Sequence, residues 1–140
     1  MDTTCRPATI LVVDGYPPIV RLLQYHLGRQ GFRVLGAFDG YEALGKAEAH
    51  RPAVIIMDLT LPGLDGCEAI ARIKPGRPEV IAIALTARDP ATNALRAWNA
   101  GFDLFVEKPF NPRELIAIIR RELAAQRRAD EELARATGSN

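Results

Sequence analysis

The sequence predicts an α/β fold in which a five-stranded parallel sheet carries helices on both faces, giving three layers. Five short segments rich in apolar, β-branched or aromatic residues alternate with longer stretches of helical periodicity. Each connection between parallel strands needs a crossover helix and is right-handed, so this alternation is typical of a (βα)5 domain. At 140 residues, the chain has the length of one such domain.

The predicted strands are spread along the chain. They are residues 9–13 (TILVV), 33–38 (RVLGAF), 53–57 (AVIIM), 80–85 (VIAIAL) and 103–107 (DLFVE). Three of them are apolar throughout, as expected for parallel strands that are covered on both faces. These segments therefore indicate a buried sheet.

Helical patterns fill the intervals between these strands. Two prolines, at 17 and 18, suit the first turn of the first helix. The next three stretches are GYEALGKAEAH, GCEAIARIK and ATNALRAWNAG. In the last of these we interpret Trp98, which lies at helical spacing from Leu95, as a packing residue. Asn111 can cap the fifth helix, and Pro112 can occupy its first position.

Composition excludes several classes of protein. Cys5 and Cys67 are far apart and lack the spacing of a zinc site or a disulfide framework. Eighteen basic and seventeen acidic residues leave a net charge of +1, so we expect no direct contact with nucleic acid. The longest apolar stretch is too short for a membrane span, and the N-terminus lacks the layout of a signal peptide. We therefore expect a cytoplasmic protein that has no membrane contact.

Polar residues follow four of the five predicted strands. Asp14 follows the first strand, Asp58 the third, Thr86 the fourth and Lys108 the fifth. Each has an ordinary explanation when taken alone, because an Asp after a strand commonly forms a turn or caps a helix. Ligands of parallel sheets bind beyond the carboxyl ends of the strands. The four residues together therefore predict a site with two carboxylates, a hydroxyl and an ammonium group.

The motifs ILVVDGYPPIVRLL, VIIMDLTLPGLDGCEAIARIK, IALTA and GFDLFVEKPF resemble the receiver domain of two-component response regulators. The likeness covers about residues 8–125. It implies a flavodoxin-like fold with strand order 2-1-3-4-5, as in the chemotaxis member of that family. We accordingly assign residues 1–125 to a receiver domain and 126–140 to a C-terminal helical extension or flexible tail, in either a stand-alone receiver or a fragment of a longer regulator.

The resemblance assigns chemistry to the polar residues. Asp58 would accept a phosphoryl group from a sensor histidine kinase, a histidine phosphotransfer protein or a small donor such as acetyl phosphate. Thr86 would hydrogen-bond to that group, and Lys108 would pair with it. Such a transfer brings two anions together, so a metal and a cation are needed to neutralise charge. The expected metal is Mg²⁺, held by Asp14, Asp58 and the backbone carbonyl of Thr60.

The resemblance also implies an output. The ring of Phe105 would change position together with Thr86. This change would alter the face formed by the fourth helix, the fifth strand and the fifth helix, the α4-β5-α5 face. A downstream protein or a second copy of the chain would bind there. The expected protein is a phosphoacceptor signalling domain that promotes only its own phosphorylation and dephosphorylation, and is not otherwise an enzyme.

Gly15 departs from the family pattern. Receivers usually carry two adjacent acids after the first strand, and the second acid is a direct metal ligand. Losing one unit charge about 4 Å from another removes roughly 1–4 kcal/mol of attraction, depending on the effective dielectric. Since water can take the vacant position, we expect weaker Mg²⁺ binding. An alternative interpretation is that Gly15 serves a turn that needs an unusual φ.

Other classes of function remain open from the sequence. A pseudo-receiver that acts by protein contact alone would follow if Gly15 abolished metal-dependent phosphorylation. A haloacid-dehalogenase-like phosphatase would need a second Asp two residues after the nucleophile, where this chain has Thr60. A flavodoxin-like FMN carrier would need a hydroxyl-rich loop after the first strand, and DGYPPI offers none.

Overall fold

The computed structural model describes residues 7–87 and 90–137, with the backbone alone for 90–93. Within these residues, β-strands and α-helices alternate as the sequence predicts. The elements are β1 (Thr9–Val13), α1 (Pro17–Arg29), β2 (Arg33–Ala37), α2 (Gly40–His50), β3 (Val54–Asp58), α3 (Gly66–Ile73), β4 (Ile81–Thr86), α4 (Pro90–Ala100), β5 (Leu104–Glu107) and α5 (Pro112–Thr137). Cys5 lies outside the described residues.

The five strands form one parallel sheet in the order β2-β1-β3-β4-β5. The predicted fold class and strand order are therefore confirmed. The order of the strands reverses between β1 and β3, where the connections leave in opposite directions. Val13 of β1 pairs with Met57 of β3, so the next residue on each strand, Asp14 and Asp58, emerges at the same level of the sheet. This crevice is where parallel sheets bind ligands.

The core of the first unit lies on the face of the sheet that α2, α3 and α4 cover. Alternate residues of the strands point to this face, including Leu11, Val13, Ile55 and Met57. They pack with residues from the three helices, of which Ile70 is fully buried. The apolar strands are therefore buried as their composition predicts, and they fix the carboxyl edge of the sheet.

The described residues fall into two compact units, one ending at Phe110 and the other beginning at Asn111. The second unit is α5. Its start follows the predicted capping chemistry, because Oδ1 of Asn111 accepts a hydrogen bond from the backbone N–H of Arg113 at 2.9 Å, and Pro112 is the first helical residue. The helix continues to Thr137 without a break. Along the described residues, no helix is both long and apolar enough to cross a membrane.

Some local predictions differ from the structure. Strand limits shift by at most one residue, and a short 3-10 turn at Lys74–Gly76 follows α3, which ends at Ile73. The interpretation of Trp98 as a packing residue is wrong, because 60% of its surface is exposed, as is 67% of Leu95. The buried residue of this part of α4 is Ala97. Helical spacing identified a real apolar stripe, but that stripe faces solvent.

Candidate functional site

Asp14 lies immediately after β1 and is almost completely buried. Its Oδ2 accepts a hydrogen bond from Nζ of Lys108 at 2.9 Å, and its Oδ1 accepts one from the backbone N–H of Tyr16 at 2.9 Å. A buried carboxylate that is paired and hydrogen-bonded in this way avoids most of the cost of an isolated buried charge. Its side chain is therefore held in one orientation.

Asp58 is the last residue of β3, and its side chain is 15% exposed. Its Oδ2 accepts a hydrogen bond from Nζ of Lys108 at 3.1 Å, while its Oδ1 accepts one from the backbone N–H of Thr60 at 3.1 Å. Each carboxylate oxygen of Asp14 and Asp58 thus accepts a bond from a protein donor. Asp58 is the more accessible of the two acids.

Lys108 joins the two carboxylates. Its backbone N–H donates to the carbonyl of Thr86 at 2.8 Å, which anchors the residue after β5 at the end of β4. Partial burial opposes the charged form of the ammonium group, but the hydrogen bonds to Asp14 and Asp58 outweigh it and raise the pKa of Lys108 above its usual value. The ammonium group is therefore charged at neutral pH.

Thr86 and Phe105 lie on the same face of the sheet. Thr86, the last residue of β4, is buried and pairs with Glu107, and Ala84 pairs with Phe105. Paired residues of neighbouring strands point to the same side, and so do residues two apart on one strand. The ring of Phe105 is 36% exposed, and its centroid lies 6.3 Å from that of Trp98. The predicted switch residues thus lie on the face that α4 covers.

Two glycines make close backbone contacts with the ends of the loop between Asp58 and α3. A Cβ on Gly66, the first residue of α3, would overlap the backbone carbonyl of Asp58, and the Gly66 N–H donates to the carbonyl of Leu59 at 3.0 Å. A Cβ on Gly40, the first residue of α2, would overlap the carbonyl of Leu64. Only glycine permits these close approaches. The first residues of α2 and α3 therefore fix the loop that carries Thr60.

The structure excludes the interpretation of Gly15 as a residue required by an unusual φ. The glycines with positive φ in the described chain are Gly31, Gly63 and Gly101. Gly15 is exposed, and a Cβ there would lie 3.5 Å from Cδ of Pro62, an ordinary van der Waals distance. The backbone therefore accommodates another residue at this position. What Gly15 changes is the charge of the site.

The oxygen atoms at this edge of the sheet are of the kind that magnesium prefers. The carboxylates of Asp14 and Asp58 and the carbonyl of Thr60 are the hard oxygen ligands that Mg²⁺ prefers, and this metal usually keeps several of its waters. Within residues 7–87 and 90–137, no group of three or more His, Cys, Asp or Glu side chains is arranged to hold a metal. The available residues therefore fit Mg²⁺ with two carboxylates and water.

An ion pair that the sequence did not reveal lies next to the site. Nη2 of Arg96, on α4, donates to Oδ2 of Asp65 at 2.6 Å. Asp65 also caps α3, since its Oδ1 accepts from the N–H of Glu68 at 2.9 Å and Glu68 reaches back to the Asp65 N–H. The spacing of Asp65 and Glu68 is a recognisable capping signal. Arg96 is 31 positions from Asp65, and no local pattern indicates that contact.

A parallel (βα)5 sheet with an acid at the end of β3, a second acid at its switch point and a lysine joining them defines the receiver class of protein. The sequence model of the family described as "Response regulator receiver domain" matches residues 10–120. The chain therefore belongs to the response regulator receiver domain family, as its motifs predicted.

Similar proteins include regulators and isolated receivers. The chain is 43% identical over 121 residues to the alkaline phosphatase synthesis transcriptional regulatory protein PhoP of Bacillus subtilis. The matched region covers 83% of this chain and 50% of that relative. The chain thus spans about half the length of that relative. The crystal structure of a CheY-like receiver domain protein from Methanospirillum hungatei superposes with a TM-score of 0.84 at 29% identity, covering 88% of this chain and 98% of the other. A beryllofluoride-activated DrrB receiver domain superposes with a TM-score of 0.78 at 33% identity. That match covers 84% of this chain and 98% of the DrrB receiver domain.

Proposed function

We propose that this receiver domain accepts a phosphoryl group on Asp58 within a two-component phosphorelay. The observation that supports this most directly is the bridge that Lys108 makes between Asp58 and Asp14. It presents an accessible carboxylate at the end of β3 with a fixed positive charge beside it. Family membership favours this signalling role over a phosphatase or an FMN carrier.

In the proposed reaction, an Asp58 oxygen attacks the phosphorus of a phosphohistidine or of acetyl phosphate. A bond forms between that oxygen and phosphorus, and the bond from phosphorus to the donor atom breaks. The barrier is largely electrostatic, because the attacking group and the phosphoryl group are both anionic. Lys108 supplies a compact positive charge next to the nucleophile, and Asp14 keeps that charge in place. Asp14 therefore acts on the reaction by positioning Lys108.

Mg²⁺, when bound by Asp14, Asp58 and the Thr60 carbonyl, would supply further neutralisation of phosphoryl charge. The backbone N–H of Thr60 donates to one oxygen of Asp58, and Nζ of Lys108 donates to the other. These contacts hold the carboxylate in place before a donor arrives. Such preorganisation lowers the cost of reaching an in-line geometry.

The proposed switch involves Thr86 and Phe105. A phosphoryl group on Asp58 would offer the Thr86 hydroxyl a new acceptor, and such a state-specific contact shifts a conformational equilibrium. Burial of the Phe105 ring would then change its packing with Trp98. Of the expected output face, α4 and β5 lie in the first unit, where α4 exposes Leu95 and Trp98 and β5 exposes part of Phe105. A downstream protein or a second copy of the chain would bind this apolar surface.

A pseudo-receiver is the second candidate, and Gly15 is the observation that favours it. Intact mass after incubation with acetyl phosphate, with and without Mg²⁺, separates the two candidates. A single phosphoryl adduct that requires Asp58 supports the receiver. The absence of any adduct at saturating Mg²⁺, in a protein that remains folded, would establish the pseudo-receiver.

Partners of the proposed receiver follow from the same chemistry. A sensor histidine kinase or a histidine phosphotransfer protein would supply the phosphoryl group in the cytoplasm. The PhoP relative is named a transcriptional regulator, but the present chain spans only half of it. We propose that these residues regulate through protein contacts.

A further inference from the structure

The Arg96–Asp65 ion pair connects α4 with the start of α3. One carboxylate serves two functions, because Oδ1 of Asp65 caps α3 while Oδ2 accepts the bond from Arg96. The next residue, Gly66, packs directly on the backbone of Asp58 and is hydrogen-bonded to Leu59. The Asp65 carboxylate is thus fixed with respect to the proposed phosphoacceptor. Through its bond to the Asp65 carboxylate, Arg96 connects α4 to the start of α3.

The same part of α4 carries the aromatic contact of the proposed switch. Arg96 and Trp98 flank Ala97, which is completely buried. Arg96 contacts Asp65, and Trp98 faces Phe105 with ring centroids 6.3 Å apart. Because one helix turn carries both contacts, a displacement of α4 that repacks Trp98 against Phe105 also changes the distance between Arg96 and Asp65. The ion pair and the aromatic pair therefore lie on the same turn of α4.

We propose that the Arg96–Asp65 ion pair is a latch that holds α4 in its unphosphorylated position and opens when the receiver switches. The inference rests on the proposed function, since it assumes that a phosphoryl group on Asp58 displaces α4. Beyond that function, the inference names one contact of α4, the Arg96–Asp65 pair, that opposes the displacement of the helix. Removing the latch shifts the equilibrium towards the switched state without altering the phosphoacceptor.

The expected size of the effect follows from the exposure of the pair. The side chains of Arg96 and Asp65 are 54% and 27% exposed, so solvent screens their attraction. Exposed ion pairs with short contacts change an equilibrium by about two- to fivefold. Salt weakens such pairs further, because the screening length falls to about 3 Å at about 1 M ionic strength. The latch is therefore a modest and salt-sensitive bias.

Trp98, the only tryptophan in the chain, provides the readout. Its fluorescence is titrated with beryllofluoride, a mimic of the phosphoryl group, in the presence of Mg²⁺. Arg96→Gln removes the guanidinium, and Asp65→Asn removes the carboxylate charge while keeping a good helix cap. Arg72→Gln is the matched control, because Arg72 is an exposed arginine on α3 that lies outside the pair.

If the latch exists, Arg96→Gln and Asp65→Asn should each lower the beryllofluoride concentration at the midpoint by about two- to fivefold. The double variant should have the same midpoint as either single variant, since each change removes the same contact. High salt should lower the wild-type midpoint relative to that of the variants. Unchanged midpoints with a normal Trp98 response would overturn the latch and leave the proposed function intact. A wild-type protein with neither a Trp98 response nor a phosphoryl adduct would overturn both.

Discussion

Nζ of Lys108 lies 2.9 Å from Oδ2 of Asp14, a carboxylate that is only 1% exposed. Lys108 also contacts Asp58, so its ammonium group balances a buried acid and an accessible acid at once. Removing one partner of a buried pair leaves an uncompensated charge, which costs more than the pair contributes. We therefore expect Lys108 to contribute to stability as well as to the proposed chemistry.

We expect Lys108→Met to destabilise the fold by about 1–3 kcal/mol, less than for a fully buried pair because the lysine is partly exposed. Thermal or urea unfolding measures the change. Arg121→Met is the control, since the Arg121 side chain is 66% exposed and its contact with Glu122 is long, at 4.0 Å, so this pair should contribute little. Equal losses in the two variants would contradict the structural role of the bridge.

The stabilisation by Lys108 should be lost in alkaline solution. Its pKa in the folded protein is raised above the ordinary value of 10.5, so the folded state binds the proton more tightly than the unfolded state. The stabilisation is therefore complete below pH 10.5 and is lost as pH rises through the raised pKa. The difference in stability between wild type and Lys108→Met should stay constant from about pH 6 to about pH 9. A difference that disappears within that range would show that Lys108 is not the charged partner.

Asp58→Asn should abolish phosphoryl incorporation while the protein stays folded. The amide keeps a carbonyl oxygen for the Lys108 bond but is not a competent nucleophile. Intact mass after acetyl phosphate treatment measures the outcome, and circular dichroism tests the fold. Asp130→Asn, an exposed change on α5, should leave incorporation at the wild-type level. A full adduct on Asp58→Asn would place the phosphoacceptor elsewhere.

Gly15→Asp should tighten Mg²⁺ binding by about tenfold, equivalent to about 1.4 kcal/mol, and accelerate phosphorylation. Backbone strain does not oppose the change, because position 15 does not require positive φ and has room for a side chain. Without metal, a third carboxylate should repel the other two and lower the melting temperature, and Mg²⁺ should restore it.

Gly15→Asn is the matched control for this prediction, since it adds nearly the same shape without the charge. Melting temperatures and phosphorylation rates across a Mg²⁺ titration compare the three proteins. If Gly15→Asp and Gly15→Asn behave alike, the missing charge is not what weakens the site.

Phosphorylation should bury Phe105 and change the fluorescence of Trp98. Slower amide exchange along α4 and β5 should accompany that change, because the ring would pack where it is now 36% exposed. Phe105→Ala should remove the fluorescence change while leaving incorporation at Asp58 intact. Tyr41→Ala, at an exposed aromatic on α2, should affect neither signal. An unaltered fluorescence response in Phe105→Ala would exclude ring packing as the switch.

Local patterns were sufficient to predict the architecture. Apolar runs and helical spacing gave all five strands and helices to within a few residues, and the rule for parallel sheets brought Asp14, Asp58 and Lys108 to one edge. These features depend on neighbours in sequence or on topology alone. The same rule predicted a shared site but not the pattern of donors within it.

Contacts between distant positions were not predictable in this way. Lys108 and Asp14 are 94 positions apart, and Arg96 and Asp65 are 31 apart, so each pairing depends on the packed geometry of several elements. The exposure of Trp98 has the same origin, because periodicity identifies an apolar stripe but not what covers it. The φ of Gly15 likewise follows from the path of its loop.

The fixed loop after Asp58 has a thermodynamic consequence for the metal. Gly40 and Gly66 let Leu64 and Asp58 pack closely, and the Thr60 N–H donates to Oδ1 of Asp58, so contacts hold the chain on both sides of the Thr60 carbonyl. A ligand that binds to ordered groups loses less conformational entropy on binding than one that must order a mobile loop. At the proposed magnesium site, such order would offset part of the affinity that we expect the missing acid to remove. Around a bound Mg²⁺, the positions that Asp14, Asp58 and the Thr60 carbonyl do not fill would be left to solvent.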